Sequence, residues 1–181
     1  MSLLNPQQIN LIKDKGFLSE KIIVLDELVT HFKKVESELK ATIQHYEKVL
    51  PQGSLTVTGK ISRGENYKGL PYLVLDFPRF TSGKKVFIYR TMFWWGNYFS
   101  CMLITKNCGY SLNQKKTPKG LMINLGSTPW NYDLNDECWE NLCKQRHQFL
   151  AVSRKVDFRN IDKLSKLSKK TFEDIMALLT K

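Results

Sequence analysis

The chain has 181 residues, 42% hydrophobic, 12% aromatic and 25% charged, a composition that suits one folded domain with a single core and excludes a chain too polar to fold. Its 28 Lys and Arg against 17 Asp and Glu give a formal net charge of +11, compatible with nucleic acid or another anionic partner. Four cysteines are too few for a disulfide scaffold and read as reduced thiols of a cytoplasmic protein. No secretory signal is expected at the N-terminus, and the charge-free run Thr91 to Thr105 is too short for a membrane helix, so no membrane partner is expected.

Asn5 is placed to cap a first helix, with Pro6 at its first position, Gln8 three residues after the cap, and Leu4 and Ile9 at staple spacing. Gly16 is expected to end it. Ser19 then starts a second helix in which Leu25, Leu28, Phe32, Val35, Leu39, Ile43, Tyr46 and Leu50 recur at threes and fours, closed by Pro51 and Gly53. That spacing also permits a coiled-coil seam, so the helix 19–50 either covers the sheet or forms a homodimer with a second copy.

From Leu55 to Ser62 the period changes to two, the pattern of a half-solvated edge strand. Arg63 to Pro71 reads as a connecting loop. Strands follow at 72–77, 86–94 and 99–106 with apolar residues on both parities, which places them centrally and covered on both faces. Gly96-Asn97 fits a two-residue hairpin pairing Trp95 with Tyr98. In that register Ile88, Arg90, Met92 and Trp94 share a face with Phe99, Cys101 and Leu103, and Arg90 is embedded among apolar neighbours.

Residues 107–119 form a polar, basic loop, and Gly120 to Leu125 supply one more short strand. A helix is expected over 136–152, opened by Asp136 and Glu137, and Ser168 is placed to cap a last helix carrying Ile175, Leu178 and Leu179. The fold class is α+β: one domain over 1–181 with an N-terminal helical pair, an antiparallel meander of four or five strands in sequential order, and C-terminal helices packed on the sheet.

A guanidinium inside an apolar layer needs a partner, and Asp76 on the preceding strand can supply one. Either Asp76 and Arg90 form a cross-strand ion pair, or Arg90 anchors a small anionic ligand beside Tyr72, Trp94 and Phe99. The aromatic run Phe93-Trp94-Trp95 with Tyr98 and Phe99 has the residue types of a base-stacking surface, which are also those of a sheet core. Basic residues recur at 114–119, from Arg146 to Arg159, and at Lys163, Lys166, Lys169 and Lys170, but they are dispersed.

Cys138, Cys143 and His147 are a local group with metal-ligand chemistry, yet on a helix Cys138 points away from the face that Cys143 and His147 share, so no metal is expected. His31 and His45 fall on the long helix without a catalytic partner. No cofactor signature occurs. The sequence therefore reads as a non-catalytic binding or interaction protein with a pocket for an anionic ligand on an aromatic-rich sheet. Its alternatives are a nucleic-acid-binding protein using the dispersed basic residues, and a small enzyme acting on an anionic substrate through Arg90 and Asp76.

Overall fold

The computed structural model describes residues 3–112, 119–124 and 149–180. Helix α1 spans Pro6–Lys13, and its start follows from the sequence: the Asn5 side chain accepts from the Gln8 N–H at 2.9 Å while Gln8 Oε1 accepts from the Asn5 N–H at 2.8 Å. Gly16 does not end this helix. Asp14 does, and its carboxylate also accepts from the Phe17 N–H at 2.9 Å, so α2, Lys15–Ile43, begins before Gly16. A 3₁₀ turn at Gln44–Tyr46 replaces the expected last turns to Leu50.

The strands are β1 Lys60–Tyr67, β2 Leu70–Ser82, β3 Lys85–Trp94, β4 Tyr98–Lys106, β5 Ser111–Leu112, β6 Met122–Asn124, β7 Phe149–Val156 and β8 Leu179–Thr180. Six of them form one antiparallel sheet in the order β1-β2-β3-β4-β7-β6, and β5 pairs separately with β8. The first four strands are therefore a meander, as expected, while β7 reaches β4 before β6 and breaks the sequential order. Helix α3, Leu164–Met176, and α2 pack on the same face of this α+β sheet.

Three expectations in the sheet are corrected. The edge strand lies at 60–67 rather than 55–62, because Ser54–Thr56 forms a 3₁₀ turn after Gly53, whose φ is 90°. The expected loop over 63–71 is a hairpin: Tyr67 pairs with Leu70, and Lys68 and Gly69 both take positive φ, 50° and 81°. Gly96-Asn97 belongs to a three-residue loop in which the Trp94 carbonyl accepts from the Asn97 N–H, so Trp94, not Trp95, pairs with Tyr98.

That one-residue difference exchanges the faces of β4. Arg90, Met92 and Trp94 share their face with Ser100, Met102 and Ile104, while Phe99, Cys101 and Leu103 lie with Tyr89, Thr91 and Phe93 under the helices. The helix-covered face holds the main core, which includes Phe32, Val35, Leu39, Phe77, Phe87 and Phe172. A smaller cluster of Val74, Met92, Trp94, Met102, Ile104, Phe149 and Ala151 lies on the other face.

Residues 149–152, expected at the end of a helix, are the first half of β7 and pair with β4, because a strand docked there buries Leu150 and Val152 in the main core. The rest of that helix, 136–148, lies outside the described residues. Ser168 is not a cap either: it sits within α3, fully buried, where its hydroxyl lies 3.1 Å from Thr91 Oγ1 and its carbonyl accepts from Tyr89 Oη at 2.6 Å. The helix is thus keyed to the sheet by hydrogen bonds as well as by Phe172 and Ile175.

Candidate interaction surface

Asp76 and Arg90 pair directly across β2 and β3. Arg90 donates from Nε to Asp76 Oδ1 at 2.6 Å and from Nη2 to Oδ2 at 2.8 Å, with both side chains largely buried. Such a bidentate contact is the strongest geometry available to the pair. Tyr72 and Trp94 form the cross-strand pair four residues along on the same face, beyond Val74 and Met92, so four of the five expected site residues lie on that face. Phe99 does not, because the three-residue loop turns it to the opposite face.

Around the Tyr72 and Trp94 end, Tyr67 meets both rings edge-on, at 6.4 and 5.0 Å between centroids, and Trp94 meets Tyr98 at 5.7 Å. The Lys68 and Lys155 ammonium groups lie over Trp94 and Tyr98 at 5.8 and 4.7 Å. Further along, Met92, Met102, Ser100 and Ser153 are at most 1% exposed, a packed layer rather than an open basin.

Phe99 instead contributes to a groove on the helix-covered face. Its ring, with those of Phe93 and Phe158, forms a triangle with centroids 5.5 to 5.7 Å apart. Ile23, Val24 and Leu28 of α2 wall one side and Ile161 the other, around a cavity of about 370 Å³ whose lining carries one charge, Glu27. A second cavity, about 550 Å³ beside Lys85, Cys108 and Tyr110, is more polar. Two of its polar groups are engaged within the chain: Tyr110 Oη donates to the Val49 carbonyl at 2.6 Å and Cys108 Sγ to that of Val86 at 3.1 Å.

The apolar groove takes Ile23 and Val24 from the start of α2, ahead of that helix's buried stripe. From Leu25 to Ile43 the stripe is buried, whereas Phe17, Leu18, Ile22, Ile23 and Val24 are 40 to 58% exposed. Helix α1 continues the arm with no buried residue, and Leu11 and Ile12 are 60 and 64% exposed. Nine of the ten exposed large hydrophobics among the described residues lie within 3–24. Single exposed apolar side chains are ordinary, whereas nine large ones within one segment make it a candidate interaction surface. Its signal in the sequence was the apolar content of 9–24, hidden because the same spacing continues into the core stripe.

Cys101 is fully buried among Tyr89, Thr91 and Ser168, and burial pushes its thiol up, as it does the Tyr89 hydroxyl. Neither is arranged as a nucleophile. Among the described residues no group of three His, Cys, Asp or Glu is placed to hold a metal, and no helix is long and apolar enough to cross a membrane. Cys138, Cys143 and His147, with the basic run 114–118, lie outside the described residues. Compared with protein-family models, curated proteins and solved structures, the chain matches none.

Proposed function

We propose that this protein is a non-catalytic interaction protein whose binding surface is the apolar N-terminal arm together with the Phe93-Phe99-Phe158 groove. The observation that carries this reading is the concentration of exposed large apolar residues in 3–24 among the described residues, beside a groove walled by the same helix. A helix-in-groove contact, with apolar anchors at threes and fours, fits such a surface. A reducing, cytoplasmic setting belongs to the same proposal, since Cys101 and Cys108 are both free thiols.

The other readings have less behind them. An anionic ligand or substrate at Arg90 would have to compete with the Asp76 carboxylate already held at 2.6 and 2.8 Å. Nucleic-acid binding would need the basic residues to converge, whereas Arg154 and Lys170 both reach Asp174 and Arg159 is held by Asp157. The test is site-specific photo-crosslinking in cells making the protein, with a benzophenone side chain at position 23 or, as control, at position 70. A discrete adduct at 23 that is absent at 70 and abolished by Leu18→Glu supports the reading; equal labelling at both positions overturns it.

A further inference from the structure

We infer that the partner at this surface is a second copy of the same chain, joined through α1 and the first turns of α2 in a two-fold symmetric contact; the inference rests on the interaction reading above. Three observations lead to it. The first is area. Nine large apolar side chains at 40% exposure or more lie within 3–24, and an interface of standard size takes about 800 Å² from each partner, which a protein surface can cover. A small ligand in the groove would leave most of those side chains in water.

The second is helix length. Helix α1 has eight residues, all outside the core, and isolated helices shorter than about 12 residues are marginal in water even when well capped. Its capping box and Pro6 fix where it starts, but its stability requires a surface against Leu11 and Ile12. Both are more than half exposed on their own chain, and a second copy supplies an apolar surface for them in trans.

The third is charge. The chain carries +11 overall, yet residues 3–24 hold Lys13, Lys15 and Lys21 against Asp14 and Glu20, which is net +1. Two copies can therefore meet at this end with little of the repulsion that the chain's overall charge would otherwise bring. The same balance disfavours nucleic acid or an anionic membrane here, because neither gains much counterion release from such a surface. The stripe from Leu25 to Ile43, buried against the sheet, takes no part, so the contact is confined to the part of the long helix that precedes the core.

The experiment is sedimentation velocity on the purified full chain over a hundredfold concentration range at physiological salt. The expected result is a species of twice the 21.1 kDa chain mass, with the dissociation constant raised at least tenfold by Leu18→Glu and by Ile22→Glu and unchanged by Leu70→Glu. All three positions are exposed, and circular dichroism confirms that each variant remains folded. A chain that stays monomeric throughout overturns the inference, as does a dimer insensitive to both arm substitutions. A monomer that binds vesicles of neutral lipid through the arm overturns it as well. If the purified chain is monomeric while position 23 still crosslinks to a different polypeptide in cells, the self-association falls and the interaction reading stands; absence of both falls on the reading itself.

Discussion

Asp76 and Arg90 close a two-pronged ion pair between β2 and β3 on the sheet face away from the helices, both side chains less than 15% exposed. Removing one partner strands the other charge, so Arg90→Met and Asp76→Asn should each cost about 3–5 kcal/mol, whereas the double substitution should cost clearly less than the sum. Urea denaturation of all four proteins completes the cycle. Additive costs would mean that the two groups are stabilised independently, and the pair would lose its structural role.

Ser168 Oγ links Thr91 and Tyr89 in a site with no exposure to water. Ser168→Ala should destabilise by about 1–3 kcal/mol, because the buried Thr91 hydroxyl loses its Ser168 partner and keeps its desolvation cost, while Tyr89 Oη retains the residue-168 carbonyl. Thermal unfolding of the variant, with Thr91→Val added in a second step, checks this: the second change should cost little once the first is made.

The neighbouring thiol gives a chemical readout of the same packing. Cys101 is fully buried with its thiol pushed up by burial, while Cys108 is partly exposed. Iodoacetamide at pH 8 should therefore alkylate Cys108 in the native protein and reach Cys101 only after denaturation, as peptide mass spectrometry will show. Equal labelling would mean that α3 lifts readily from the sheet.

Gly64 faces Tyr72 across β1 and β2, and a Cβ built on it would fall within the tyrosine ring. Gly64→Val should cost about 1–3 kcal/mol by overpacking, and Tyr72→Ala in the same chain should recover part of it. A melting temperature unchanged by Gly64→Val would show that the ring does not need to lie there.

Burial tends to raise the Glu36 carboxyl, but hydrogen bonds from Lys40 at 2.8 Å and from the Gly59 N–H at 3.0 Å, with the Lys40 charge, hold it below its usual 4.5. A depressed folded-state value means stability that is present above the unfolded value and lost as pH falls through the folded one. Glu36→Gln should therefore cost about 1 kcal/mol near pH 7, discounted because Lys40 is half exposed, and the gap to the wild type should close below about pH 4.5. Stability curves at pH 7, 5 and 3 test the sign.

The elements most legible in the sequence were those with local causes. Asn5, Pro6 and Gln8 set the first helix start, the stripe from Leu25 to Ile43 named the buried helix face, and Asp76 opposite Arg90 was one of two readings that the need to pair a buried guanidinium allowed. What failed did so by small steps with large effects. A hairpin loop longer by one residue turned Phe99 to the other face, and Lys68, a non-glycine residue at positive φ, concealed the tight β1–β2 turn. Phe149 to Val156 is apolar enough for either a helix or a strand, and only β4 as a neighbour decides between them. The exposed arm was the least legible, because periodicity states which face of a helix is apolar but not where along the helix that face ceases to be buried.

The placement of β7 beside β4 also orders events along the chain. The strands β1 to β4 join through turns of two or three residues and can zip locally, whereas Phe99 to Lys106 must wait for residues 149–156, more than forty positions later, to close that side. During synthesis β4, seven of whose nine residues are buried in the finished protein, therefore spends an interval as a bare edge, and the rate at which Phe149 to Val156 docks sets how long the nascent protein is open to mispairing.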